Sequence, residues 1–243
     1  MGETKLTFKR YEKKYLLSAE TYEALFRQLE EHIEPDEYPH SSVCSVYYDC
    51  DDYRLIRRSL EAPVYKEKLR LRSYRVPGPA DEVFVELKKK YKGIVYKRRI
   101  SMGAAEAANW LAGRSGPPED SQMAREIDWF LNLYHPAPRA YIACDRWAWR
   151  AKDDPELRIT FDRDLRWRDQ NLDLTCGDAG EPLLPAGSVL MEIKIPEAAP
   201  LWLAHILSSL QVYPRSFSKY GTCYKDRLLE KIFKEYDGVS IHA

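Results

Sequence analysis

Between Val64 and Met102 the chain places lysine and arginine at alternate positions along three successive segments. Lys66, Lys68, Arg70 and Arg72 share one parity with Tyr74, and Leu69 and Leu71 share the other. In an extended strand this period of two puts the two sets on opposite faces. From Glu82 to Lys90, Glu86 and Lys88 stand against Val83, Val85 and Leu87. From Ile94 to Ile100, Lys97 and Arg99 stand against Ile94, Tyr96 and Ile100. A charged strand face usually mixes signs and meets water. Four cations in one row with no carboxylate among them repel one another unless an anion arrives. The chemistry such a face can do is to bind a polyanion. Guanidinium forks take phosphate oxygens in pairs, and lysines neutralise them.

A single row of this kind is more often a solvated sheet face. Its weight here comes from repetition on at least five segments. Glu12 and Lys14 share a parity, as do Arg158, Thr160 and Asp162, and Glu192 and Lys194. Arg146 shares its face with Ala140, Ile142 and Cys144. If these faces turn inward together, the interior gathers many cations and few carboxylates: Glu12, Glu86, Asp162 and Glu192. Burying so many unpaired charges in a dry core costs several kcal/mol apiece. The interior must therefore be wet, with a chain of phosphates as guest and carboxylates free to hold a divalent cation bridging them.

The elements that position these residues follow from periodicity. A strand is expected over Phe8–Leu17, then a helix from about Ala19 to His32 opened by Ser18 as N-cap. A polar loop with Pro35 and Pro39 precedes a strand at Ser45–Cys50 and a helical turn at Tyr53–Leu60. The three cationic strands come next, joined by Pro77-Gly78-Pro79 and by a tight hairpin at Tyr91-Lys92-Gly93. Two helices, Gly103–Leu111 and Gln122–Tyr134, lead to strands Arg139–Arg150 and Leu157–Asp164. Residues Arg166–Ala186 read as loop. Strand Ser188–Ile195 is followed by a helix over Ala198–Leu210 and a last one over Tyr220–Tyr236. The fold class expected is α+β. One domain spans residues 1–243: an antiparallel eight-stranded β-barrel with helices packed outside and a C-terminal helix.

Composition narrows the function. The chain has 243 residues and 44% apolar content, enough for a sizeable core. Its 38 basic residues are balanced by 38 acidic ones, so the positive charge is concentrated and not general. That favours an enclosed site over an open nucleic-acid face. Five scattered cysteines without a C-x-x-C pair argue against a disulfide framework or a zinc site and for a reducing compartment. No stretch approaches the ~18 apolar residues of a membrane span, so a soluble, cytoplasmic chain is expected. The five histidines form no metal-spaced cluster, Ser218 lacks a G-x-S-x-G context, and no P-loop or dinucleotide glycine motif occurs.

Nine segments carry a resemblance: R-Y-E-K-K-Y (10–15), Y-Y-D (47–49), K-L-R-L-R-S-Y (68–74), V-E-L-K-K-K (85–90), Y-K-R-R (96–99), Y-I-A-C-D-R-W-A-W (141–149), L-R-I-T-F-D (157–162), M-E-I-K (191–194) and F-S-K-Y (217–220). In this order they resemble the catalytic domain of the vacuolar transporter chaperone (VTC) polyphosphate polymerases, a branch of the triphosphate tunnel metalloenzymes. The resemblance implies a tunnel barrel whose Arg70, Arg72, Arg146, Arg158 and Lys219 act on a nucleotide's phosphates. Lys14, Lys68, Lys88, Lys97, Arg99, Lys194 and Ser218 would bind further phosphate. Glu192 would hold a manganese or magnesium ion (Mn2+ or Mg2+), with Glu12 and Glu86 as further carboxylates. One departure stands out: Ser216 replaces the first lysine of the eukaryotic K-F-S-K, with Arg215 beside it.

The implied reaction moves the γ-phosphate of ATP onto a growing polyphosphate chain. A metal-dependent tripolyphosphatase or nucleoside triphosphatase, with Glu12 or Glu86 as base, is the first alternative. A non-catalytic polyphosphate or inositol-phosphate binder is the second. The expected partners are ATP and polyphosphate or another triphosphate, and no nucleic acid. The phosphosensing and transmembrane domains of eukaryotic members are missing from the sequence. The chain is thus expected to work alone or with a separate membrane protein.

Overall fold

Segments of period two become strands, and segments of helical period become helices, at nearly every expected place. The computed structural model describes residues 11–239 apart from Gly93 and Glu197. The expected strand positions Phe8–Arg10, and Gly93 of the hairpin, lie outside the described residues. Strand β1 (Tyr11–Leu17) leads into helix α1 (Ala19–Leu29), whose first turn is closed by Ser18 Oγ accepting from the Thr21 amide at 3.1 Å. Then come β2 (Ile33–Asp49), α2 (Arg54–Leu60), β3 (Tyr65–Ser73), β4 (Glu82–Tyr91) and β5 (Ile94–Gly103). Helices α3 (Ala104–Leu111) and α4 (Gln122–Tyr134) precede β6 (Ala137–Ala151) and β7 (Arg158–Arg168). The short β8 (Glu181–Pro182), β9 (Val189–Ile195) and α5 (Leu201–Ser209) follow. Helix α6 (Lys219–Cys223) passes through one π-helical turn, Tyr224–Leu228, into α7 (Leu229–Val239).

The strands form one sheet, hydrogen-bonded in the order β1-β9-β7-β6-β2-β3-β4-β5, with β8 pairing β7 off this path. Every register resolved is antiparallel. The eight expected strands are the eight on the path, and the ninth is the two-residue β8. Closure is corrected: the path ends at β1 and β5, and among the described residues no backbone pairing joins them into a barrel. Two loops are corrected as well. The expected proline loop is strand: β2 runs 17 residues through Pro35 and Pro39. Only Cys44–Tyr48 of β2 pair with β3. A strand unpaired on one side tolerates a residue with no N–H to donate. The expected loop from Arg166 starts later, because β7 continues to Arg168 and pairs with β8 at Arg166 and Trp167.

Residue contacts divide the chain into two compact units. One takes residues up to Ser41, Cys144–Leu165 and Leu184–Phe217. The other takes Ser42–Ala143, Arg166–Leu183 and the chain from Ser218. Each has its own core on the apolar parity of its strands. In the second unit Leu69, Leu71, Val83, Val85 and Leu87 pack with Trp110 of α3 and Ile127 and Phe130 of α4. In the first, Leu17, Ile159, Phe161, Met191 and Ile193 pack with Leu25 and Leu29 of α1 and Leu203 of α5. Each fully buried side chain of this size contributes about 1.5–3 kcal/mol, which holds each strand's charged parity on the opposite face.

Helix α2 shows how a buried carboxylate replaces an ordinary cap. Its N-cap position, Tyr53, is left-handed (φ 57°) and makes no side-chain cap bond. Asp49, fully buried, accepts instead from the amides of Cys50 (2.8 Å), Leu55 (3.0 Å) and Ile56 (3.0 Å). It also accepts from the Tyr220 hydroxyl at 3.1 Å. Asp49→Ala strands these donors and is expected to cost about 3 kcal/mol. The melting temperature, followed by circular dichroism, should fall by roughly 6–12 °C, and less in Asp49→Asn, which keeps an acceptor. An unchanged melting curve for the alanine variant would refute this role.

Candidate phosphate-binding face and carboxylate face

In the second unit, register turns the alternating cations into rows. Arg70 lies opposite Glu86, and Glu86 opposite Arg99. Lys68, Lys88 and Lys97 make the next row; Arg72, Phe84 and Ser101 make the one beyond. Strand β2 adds Tyr47 beside Arg70 and Ser45 beside Arg72. The rows centre on Glu86, which is 1% exposed. Arg70 grips one carboxylate oxygen of Glu86 with Nε and Nη2, each at 2.6 Å. Lys97 holds the other at 2.6 Å, with Arg99 at 3.7 Å from it, while Arg72 lies 3.9 Å from the oxygen that Arg70 grips. Burial alone would raise the Glu86 pKa; Arg70, Arg72 and Lys97 outweigh it and hold it at about 2.

The surroundings fix these cations in place. The Arg99 guanidinium lies 3.6 Å from the centre of the Phe84 ring and reaches Tyr74 Oη at 3.4 Å. Arg72 donates to Ser45 Oγ at 3.3 Å. Lys68 donates to Ser218 Oγ at 2.8 Å, and the same oxygen accepts from the Gly221 amide at 3.1 Å, capping α6. A side chain at residue 221 would be crowded here. A Cβ would come within 3.1 Å of Leu60 Cδ2 and 3.2 Å of Ser218 Oγ. Tyr220 stacks on Tyr47 with ring centres 4.8 Å apart. Burial pushes the Tyr47 phenol up, but Arg70, Arg72 and Lys219 pull it below its usual value. The structure thus brings Lys68, Arg70, Arg72, Lys88, Lys97, Arg99, Ser218 and Lys219 to one face of this unit.

The first unit carries a different face. Glu12 lies opposite Lys194 and Lys14 opposite Glu192, while β7 sets Arg158 opposite Lys194 and Thr160 opposite Glu192. Lys14 Nζ sits 3.2 Å from Glu12 and 3.9 Å from Glu192, and donates to the Phe217 carbonyl at 3.3 Å. Lys194 is 3.6 Å from Glu192. Arg146 donates to both oxygens of the buried Asp162, at 2.6 and 2.8 Å. Asp162 outweighs burial and holds Arg146 firmly charged, above its usual range. Arg158 lies 3.7 Å from Asp36.

The two faces differ in their charge balance. Four cations of the first face, Lys14, Lys194, Arg146 and Arg158, meet four carboxylates, Glu12, Glu192, Asp162 and Asp36. In the second unit four cations crowd one carboxylate, leaving an excess of three positive charges around Glu86 before Lys68 and Lys88 are counted. The demand for an anion is therefore local to the second unit. Glu86 is already committed as the counter-ion of that cluster, which does not suit it to holding a metal. Among the described residues no three His, Cys, Asp or Glu side chains gather as a metal group. Glu12 and Glu192, both within reach of Lys14, fit the smaller donor set of a magnesium- or manganese-type ion that takes its remaining ligands from phosphate and water.

Sequence reasoning missed Tyr47, Phe84, Asp36 and Gly221. Tyr47 and Phe84 share parity with residues already singled out, a signal open to reading. Asp36 sits inside the expected proline loop. Gly221 depends on contacts with Leu60 that only the fold reveals.

No curated protein matches the chain. Among solved structures, a candidate adenylate cyclase from Bacillus halodurans superposes with TM-score 0.54 at 16% identity, over 85% of this chain and 92% of that one. A second candidate adenylate cyclase, from Vibrio parahaemolyticus, gives TM-score 0.45 at 12% identity, over 89% and 97%. At such identities the first likeness shows a shared fold. No helix among the described residues is long and apolar enough to cross a membrane. The VTC domain matches residues 9–226, a span that takes in both compact units and all nine segments singled out above. The chain belongs to the VTC domain family.

Proposed function

We propose that this chain is a polyphosphate polymerase, a phosphotransferase that passes the γ-phosphate of ATP to the end of a polyphosphate chain. The observation that supports this most is the excess of three positive charges around the buried Glu86. The protein that shares the fold at TM-score 0.54 is described as a candidate adenylate cyclase. Arg70, Arg72, Lys97 and Arg99 bind and orient the triphosphate through guanidinium forks and ammonium charge. Lys68, Lys88, Lys219 and Ser218 extend that hold along further phosphates. Glu192, with Glu12, would hold a divalent metal, which supplies neutralisation of phosphate charge when bound. Lys14 and Lys194 orient the two carboxylates, and Arg146 and Arg158 stay paired with Asp162 and Asp36.

The terminal oxygen of bound polyphosphate attacks the γ-phosphorus of ATP. The bond to the β–γ bridging oxygen breaks, and ADP leaves with the electron pair. Positioning and charge neutralisation carry such transfers, so no protein nucleophile is needed. Of Glu12 and Glu86, the two candidate bases for the hydrolytic alternative, Glu86 does not suit the task. Attack by water calls for a base, and a carboxylate held at about 2 is a poor one at neutral pH. A phosphate terminus is already an anion and needs none. We place the reaction in the cytoplasm, within one functional domain.

The pure protein with ATP and manganese should yield long polyphosphate that resists phosphatase and yields to exopolyphosphatase. Free phosphate as sole product would instead establish a hydrolase. Tight tripolyphosphate binding without turnover would establish a binding module.

A further inference from the structure

The β4–β5 hairpin projects a feature that phosphate transfer does not use. Its pairs run Lys88–Lys97, Lys89–Tyr96, Lys90–Val95 and Tyr91–Ile94, so its last residues are an unusual mix of lysine with aromatic and aliphatic side chains. The core beneath ends at Leu87 and Ile100. Beyond it, Ile94 is 58% exposed, Val95 48%, Tyr91 44% and Tyr96 43%, with Tyr65 of β3 beside them at 39%. Hairpin tips in water are normally polar, and β5 ends the sheet, where exposed apolar residues invite unwanted pairing. The lysines outside the phosphate-binding rows form a collar at this tip: Lys66, Lys90 and Lys92. Lys66 faces Lys90 across β3 and β4. Like charges set directly opposite are unfavourable unless an anionic partner offsets them. From Lys88 to Lys97 the sequence has no carboxylate.

We propose that this tip docks on an anionic lipid surface. Tyr91, Ile94 and Val95 enter the headgroup boundary, and the lysine collar meets the acidic headgroups. An apolar tip with a cationic collar complements a surface that is itself apolar beneath and anionic above. Neither part suffices alone. A free polyphosphate chain satisfies the lysines but leaves the tip in water; a neutral membrane does the reverse.

The full chain should co-sediment with vesicles of phosphatidylcholine and phosphatidylserine mixed two to one, and not with pure phosphatidylcholine. Ile94→Asp, and separately Lys90→Glu with Lys92→Glu, should each weaken attachment at least tenfold with unchanged melting curves. A Val95→Cys chain labelled with an environment-sensitive dye, with the exposed Cys176 replaced by serine, should shift to the blue on the acidic vesicles. Absence of sedimentation, equal binding to both vesicle types, or full binding by Ile94→Asp would overturn the proposal. An unshifted dye on bound protein would overturn it too, leaving attachment through the phosphate-binding face alone. A wild-type dimer that Ile94→Asp turns to monomer would show that a second copy covers the tip instead.

Discussion

Replacing Glu86 with glutamine is expected to destabilise the empty protein and make that loss reversible by phosphate. Glu86 has its pKa lowered from 4.5 to about 2 in the folded chain, a difference worth ~3 kcal/mol. A depressed carboxylate pKa stabilises the fold above the unfolded value. That contribution is present in full above about pH 4.5 and is lost as pH falls towards about 2. The wild type should therefore weaken through that window, and Glu86→Gln should lack that part of the decline. At neutral pH the variant should melt roughly 6–12 °C lower. Its four cations then lose the carboxylate they share, so tripolyphosphate should raise its melting temperature further than it raises that of the wild type. Equal melting of variant and wild type without ligand would rule out the counter-ion role.

The second large effect separates binding from turnover. Glu192→Ala should reduce metal-dependent turnover by about 10²-fold, because the carboxylate proposed to position the ion is gone. Affinity for tripolyphosphate, set by the Arg70, Arg72, Lys97 and Arg99 cluster of the other unit, should change less than about threefold. Calorimetry of binding beside a turnover assay reads both quantities. A parallel loss of both would mean that Glu192 acts through the fold. Retained turnover would remove it from the metal role altogether. Arg70→Ala gives the opposite pattern, since it unseats both the phosphate contact and the partner of a buried glutamate.

The cationic face is legible from strand parity, because period two forces Lys68, Arg70 and Arg72 to one side once Leu69 and Leu71 are buried. Parity alone does not give register. That Glu86 lies between Arg70 and Arg99 is decided by how three strands slide past one another. Pro35 and Pro39 mislead for a related reason. Their local preference for a turn is overridden where β2 extends along β6. The same override hides Asp36, and with it the partner of Arg158. The Ser218 cap is visible as a residue type, but its second duty to Lys68 joins positions 150 apart in sequence. The expected barrel rests on strand number, which the path matches; closure needs a pairing between its first and last strands that parity does not encode.

The contrast between a balanced face and a cationic one affects how the whole molecule behaves in solution. The sequence is formally neutral, with a pI near 7.0, so at physiological pH copies have little average repulsion to keep them apart. A bound triphosphate adds several negative charges and turns the loaded protein into a net anion. Empty and loaded forms then differ in colloidal character as well as in occupancy: the substrate acts as a solubilising ion, and the empty protein is the form prone to associate.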